Sequence, residues 1–219
     1  IMKTTRTVRL RLDLERSVPE SLIEEAIEVA LQAPTGANSQ TWRFVVVTDE
    51  NLRSGIADLY RQGAERYLAG ETGVTRTGVA VDKQYPDDDP RQQRMPLIVK
   101  SAVHLIENLH RVPVHIMLFL ENRFDHEDVF TQGSMWGSIL PAAWSLMLAL
   151  RARGVASAWT TFTLMYEKEI QELLGVPAHY TQAVLLPVAW LKGGDLRPAK
   201  RFPARDVTFW NGWDKQRAE

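Results

Sequence analysis

The 219 residues contain no cysteine. Disulfides, thiolate nucleophiles, iron–sulfur clusters and cysteine-based zinc sites are thereby excluded. Histidine is sparse. His104, His110, His115, His126 and His179 include no pair at H-x-x-x-H or H-x-H spacing, which argues against a helix-borne metal site. Neither sign of charge is in excess: 26 Lys plus Arg balance 27 Asp plus Glu, a formal net charge of -1. No global field draws the chain to nucleic acid or to an acidic membrane. The longest mostly apolar runs are about ten residues, short of a bilayer span. Residues 1–11 are basic but lack an apolar signal core. The expectation is a cytoplasmic protein with neither nucleic acid nor membrane as partner.

Hydrophobic residues at 45% and charged residues at 24% are an ordinary globular balance. The length suits one domain over residues 1–219 that buries its core without staples. Residues 18–33 read as a helix, with proline tolerated at its start and Leu22, Ile23, Ala26, Ile27, Ala30 and Leu31 at helical spacing. Further helices are expected over 50–69, 96–109, 134–152 and Glu167 to Leu174. Strands are expected at Phe44–Val47, Val112–Leu120, Ala156–Thr161 and Gln182–Trp190. The 134–152 pattern is apolar over so much of its surface that burial from several sides is expected. Irregular alternation with dominant long helices favours a mixed three-layer arrangement over a regular doubly wound one. Residues 70–94, with Pro86, Pro90 and Asp87-Asp88-Asp89, read as a solvated surface loop, or else as a lid over a pocket. The tail, 193–219, carries Phe209, Trp210 and Trp213, which either cover their own domain or wrap a partner subunit.

Three segments carry chemistry. Thr5-Arg6-Thr7-Val8-Arg9-Leu10-Arg11 clusters guanidinium groups and a hydroxyl, suited to bidentate phosphate contact. Pro34-Thr35-Gly36-Ala37-Asn38-Ser39-Gln40 joins a helix end to a strand. Gly36 and Ala37 allow close backbone approach, and Asn38 and Gln40 offer both donors and acceptors, as an amide-rich heterocycle requires. Lys200-Arg201-Phe202-Pro203 is a basic turn that completes a phosphate clamp if it meets the first segment.

In order and spacing these segments resemble the FMN-dependent nitroreductase family. Thr5 to Arg9 stand where the family has T-R-x-V-R. Val18 to Leu22 stand for V-P-x-E-x-L, and Ala33 to Phe44 for A-P-S-G-x-N-x-Q-P-W-x-F. Gly133-Ser134-Met135-Trp136, Gly154 to Thr163 and Leu173-Leu174-Gly175-Val176-Pro177 look like later family segments. The resemblance implies an α+β, three-layer α/β/α fold. Its central sheet is mixed but mainly antiparallel, and its C-terminal arm is exchanged in a homodimer. It implies FMN, with NADH or NADPH as reductant and a small-molecule acceptor such as a nitroaromatic or quinone, in a ping-pong two-electron cycle. Arg6, Thr7 and Arg9 would hold the FMN phosphate with Lys200 and Arg201. Pro34, Thr35, Gly36, Ala37, Asn38 and Gln40, from the other subunit, would line the flavin, and Thr160 and Thr161 would lie beside its ring. No catalytic side chain is implied.

Thr41 replaces the family's proline before Trp42, and Trp159 lies where relatives have a glycine-threonine run, narrowing the expected pocket. Reductive dehalogenation, other flavin chemistry on the same fold, and non-catalytic flavin storage are the alternatives.

Overall fold

The computed structural model describes residues 1–71, 85, 89 and 91–213. Nine elements of regular structure follow one another: α1 (Glu20–Ala30), β1 (Trp42–Val47), α2 (Glu50–Leu68), α3 (Met95–Asn108), β2 (Val114–Glu121), α4 (Val129–Ala152), β3 (Val155–Ser157), α5 (Glu167–Leu174) and β4 (Tyr180–Trp190). The strands form one sheet in the order β1-β2-β4-β3. Every pairing in it is antiparallel, so the mainly antiparallel expectation holds without a parallel pair among the described residues.

The two central strands explain the layering. Val114 to Leu120 in β2 are all buried, as are Thr181 to Ala189 in β4. A strand buried on both faces needs a cover on each. Ile116, Leu118, Leu186 and Val188 face α1 and α4. Met117, Phe119, Leu185 and Ala189 face α2, α3 and α5. Alternate residues thus feed two separate cores, and a one-residue slip would exchange them. The register holds Ile116 opposite Leu186, with one irregularity between Leu118 and Phe119.

The helices follow local signals. Asp49 and Asp128 cap α2 and α4, accepting hydrogen bonds from the backbone N–H of Leu52 and Thr131. Gly175 ends α5 in the left-handed region, φ 66°. Gly63 of α2 lets that helix close on the turn after β3, where an added Cβ would stand 2.4 Å from the Phe162 carbonyl oxygen.

Helix α4 begins at Val129, five residues before the apolar pattern suggested. Its 24 residues are long and apolar enough, by length and composition, to cross a membrane, which corrects the ten-residue estimate. Gln132, Ser134, Ser138 and Pro141 interrupt the apolar run without ending the helix. Its Ile139, Ala142, Ala143, Leu146 and Leu150 are packed against α1 and the sheet, as in the core helix of a globular domain. The strand expected over Ala156–Thr161 is shorter: β3 ends at Ser157, after which the Ala158 N–H donates to the Pro187 carbonyl at 3.1 Å and Thr160 bridges Leu185.

Candidate functional site

The N-terminal segment runs beside β3 and the end of β4 because backbone hydrogen bonds tie them. The Val8 N–H donates to the Ser157 carbonyl at 2.9 Å and the Asp13 N–H to that of Trp190 at 2.9 Å. The Lys192 N–H donates to the Arg11 carbonyl at 2.8 Å. Arg11 returns the contact through its Nε to the Lys192 carbonyl, at 2.7 Å. The first basic segment therefore runs beside the start of the tail.

Two adjoining cavities open at this corner and share Arg6, Thr7, Arg94 and Ile98 as a common wall. One, about 450 Å³, also takes in Arg9, Ser101 and Arg197. The other, about 640 Å³, takes in Arg91, Trp144, Lys200, Arg201 and Phe202. Both fall in the size range of small-ligand sites. Arg6 and Thr7 thus line both cavities, Arg9 lines the smaller, and Lys200 and Arg201 line the larger, all within one chain.

Each member of the clamp is held differently. Thr7 Oγ1 accepts from the Trp159 backbone N–H at 3.2 Å, which fixes the hydroxyl beside the end of β3. Arg9 is half-buried and donates to Ser101 Oγ at 3.3 Å. Burial lowers the Arg9 pKa from its ordinary value, and the nearby Tyr60 works the other way. Among the described residues, Arg6 donates only a long bond, 3.5 Å, from Nε to the Thr4 carbonyl, and its buried Nη2 has no partner. Its pKa is lowered by burial first and then by Arg94, Arg201 and Arg11. A guanidinium does not shed its proton at ordinary pH, so this cluster keeps its positive charge, with Asp195 the carboxylate among the lining residues of the smaller cavity.

The Pro34–Gln40 turn lies elsewhere, against the N-terminal half of α4. The Gly36 N–H donates to Ser138 Oγ at 3.0 Å, and a Cβ on Gly36 would meet Ser134 Oγ at 2.6 Å. Ala37, Asn38 and Gln40 have φ of 50°, 55° and 51°. Three non-glycine residues in the left-handed region within four positions is stored strain of the kind found at ligand sites. Gln40 braces the turn, with its backbone N–H on Thr35 Oγ1 at 3.3 Å and its Nε2 on Asn38 Oδ1 at 3.0 Å. Pro34, Thr35, Gly36, Ala37, Asn38 and Gln40 line neither cavity of their own chain. Thr160 is buried, its hydroxyl donating to the Leu185 carbonyl at 2.9 Å, while Thr161 is exposed and opens the following turn.

Trp42 is buried in the core, as its position predicts. Of the 70–94 region, residues 72–84, 86–88 and 90 lie outside the described residues, and with them most of the loop-or-lid expectation. Its described end supplies what sequence reasoning missed: Tyr85, Arg91 and Arg94 line the larger cavity, joined by Trp144 of α4. One signal was available. Arg91 and Arg94 stand at the start of α3, whose first turn holds no acidic residue. Cations there oppose the helix dipole unless an anion joins them.

Among known proteins, this chain is similar to the iodotyrosine deiodinase of Thermotoga neapolitana. The two are 26% identical over 207 residues, covering 94% of this chain and 93% of that one. It is 28% identical over 199 residues to the iodotyrosine deiodinase 1 of Mus musculus, covering 87% of this chain but spanning only 57% of that protein. Among solved structures it resembles the FMN and NADPH-dependent nitroreductase NfnB of Sphigopyxis sp. strain HMH, with TM-score 0.65 and 22% identity over 95% of this chain and 96% of that one. It also resembles an oxidised iodotyrosine deiodinase bound to FMN and 3-iodo-L-tyrosine, with TM-score 0.64 and 22% identity over 95% and 97%. The Nitroreductase family model matches residues 2–190. That match spans most of the chain, and the chain belongs to the nitroreductase family.

Proposed function

We propose that this protein is an FMN-dependent oxidoreductase that moves two electrons from NADH or NADPH to an electron-poor acceptor such as a nitroaromatic or quinone. The observation that carries this reading is the Arg6 guanidinium, with Nη2 buried and unpartnered among Arg94, Arg201 and Arg11. A phosphate monoester supplies what is missing there, three strong acceptor oxygens and about two negative charges. Arg6, Arg9, Lys200 and Arg201 hold that phosphate, and the Thr7 hydroxyl, already accepting from Trp159, donates to it.

When bound, the flavin supplies the redox chemistry, taking two electrons from the reductant and giving them to the acceptor that replaces it. The protein positions the reactants and excludes water. The strained turn Pro34–Gln40 presents the amides of Asn38 and Gln40 to the flavin of a second chain. The homodimer also explains the tail, where Trp210 is 54% exposed and Trp213 81% exposed on a single chain. Truncation after Pro203 is expected to weaken the dimer; a truncated chain that remains dimeric at low micromolar concentration removes the arm-exchange part of the proposal.

The test of the cofactor is direct. The purified protein is expected to show oxidised-flavin absorbance, or to gain it with added FMN, and to bleach with NADH or NADPH. A colourless protein that refuses FMN overturns the proposal. A second reading, reductive removal of halogen from an aromatic ring, is favoured by the likeness to the Thermotoga deiodinase along nearly the full length of both chains. Halide release from a halogenated phenol, compared with turnover of a quinone, separates the two.

A further inference from the structure

The larger cavity holds more positive charge than one phosphate uses. Arg6, Arg91, Arg94, Lys200 and Arg201 line it, and no carboxylate does among the described residues. Arg91 is already satisfied: it is paired with Asp89 at 2.6 Å and lies over the Tyr85 ring at 4.0 Å. Arg94 is different. Its side chain makes no hydrogen bond or ion pair among the described residues. It stands on the wall common to both cavities, close enough to Arg6 to repel its charge. A phosphate monoester bears about two negative charges, which Arg6, Arg9, Lys200 and Arg201 already exceed. Arg94 is left over.

What lies around Arg94 limits its ligand. Among the other residues of the larger cavity, Met95, Ile98, Trp144 and Phe202 offer apolar surface. Trp144 is 40% exposed and Phe202 47% exposed, although both are large enough to be worth burying. The Phe202 ring already carries Arg91 over it at 5.2 Å, while no cation–π contact is made to Trp144 among the described residues; flat apolar surface beside the Arg94 guanidinium suits a planar ring that carries an anionic group.

We propose that the electron acceptor of this protein is an anionic aromatic, its carboxylate on Arg94 and its ring against Trp144, Ile98 and Phe202. The inference rests on the oxidoreductase reading above and narrows it to a substrate class. The same anion-binding chemistry would also suit the extra phosphate of NADPH, and the experiment distinguishes these sources.

With FMN-loaded enzyme, kcat/KM is measured for para-nitrobenzoate and for nitrobenzene, and separately for NADPH and NADH. The wild-type protein is expected to prefer the carboxylate. Arg94→Ala is expected to reduce that preference roughly 10- to 100-fold, the loss of one charge-assisted contact. Arg94→Lys should recover part of it, and Arg94→Glu should turn the preference toward a nitroaromatic bearing a trimethylammonium group. An unchanged acceptor ratio in Arg94→Ala overturns the proposal. So does a fall in the NADPH-to-NADH ratio in its place, which would assign Arg94 to the reductant. Calorimetric binding of para-nitrobenzoate to the wild type and to Arg94→Ala is measured in parallel. Arg94-dependent binding to a protein that refuses FMN would sink the oxidoreductase reading while leaving the anion site standing. Equal binding to both proteins would sink the site while leaving a flavin reading intact.

Discussion

Arg6 and His115 each bury a side-chain nitrogen with no partner among the described residues, yet the two answer their surroundings differently. His115 lies in β2, fully buried, with Nε2–H donating to the Leu109 carbonyl at 3.0 Å and Nδ1 unpartnered. Burial, with Arg53 nearby, pushes its pKa down to about 4, against the opposing pull of the Leu109 hydrogen bond. The imidazole answers its surroundings by staying neutral, so its orphan nitrogen is an uncharged acceptor. Arg6 has no such exit. Its guanidinium remains charged, and its neighbours Arg94, Arg201 and Arg11 are charged as well. A cation that can neither neutralise nor find a carboxylate must be met from outside the chain, whereas a weak base in the sheet need not.

The largest effect should come from emptying the corner. Arg6→Ala combined with Arg201→Ala removes two charge-assisted contacts of about 1.5–3 kcal/mol each. FMN affinity should therefore fall by roughly two to four orders of magnitude, read by fluorescence titration; unchanged flavin retention would erase the distinction from His115. The same binding should weaken as salt is raised, because part of the corner is solvent-exposed.

The sheet side is tested by acid. Below its ordinary value of 6.5 the unfolded His115 takes a proton that the folded imidazole refuses until about pH 4. The unfolded state binds more protons in that window, so stability falls as pH drops from 6.5 toward 4, by about 3 kcal/mol if the folded value is near 4. His115→Gln, which retains a donor for Leu109, should flatten that limb in denaturant titrations at several pH values. An acid limb of the same depth in the variant would show that the histidine is not its source.

A smaller effect is expected at Thr7, where hydroxyl and fold are joined. Thr7→Val leaves the half-buried Trp159 N–H without its acceptor and should cost about 1 kcal/mol in urea unfolding. The smallest is expected in the turn, whose demand is met by backbone strain rather than by missing charge. Ala37→Gly relieves the φ of 50° and should change stability by no more than about 1 kcal/mol, in the stabilising direction. A clear loss of stability would mean that Ala37 is not strained.

Much of the architecture could be read from periodicity. Helix α5 falls on Glu167–Leu174 as expected, and β4 begins two residues before the expected Gln182. Local chemistry carries such elements: a short amphipathic repeat closed by Gly175, or an apolar run with no helical gap. The misses have local causes too. Helix α4 starts early because Asp128 caps it, and the glycines and serines that follow hide the turns before the apolar run. Strand β3 ends at Ser157 although the chain continues beside β4, the Ala158 N–H donating to the Pro187 carbonyl at 3.1 Å: Pro187 has no N–H to return, so the ladder is interrupted there until Thr160 meets Leu185.

The residues by themselves determined where most helices and strands fall and which basic segments flank the domain, because hydrophobic period and guanidinium chemistry are written locally. The sequence also specified the turn from Pro34 to Gln40 as a special one, though not its left-handed backbone. Only the tertiary structure decided that Arg94 stands beside Arg6 and Arg201, and that Trp144 faces the same cavity. Those positions lie far apart along the chain, and their meeting depends on how the ends are tied at Arg11 and Lys192 and on where α3 packs. No residue spacing encodes such a meeting, because it is set by the packing of layers and not by the period of any one segment.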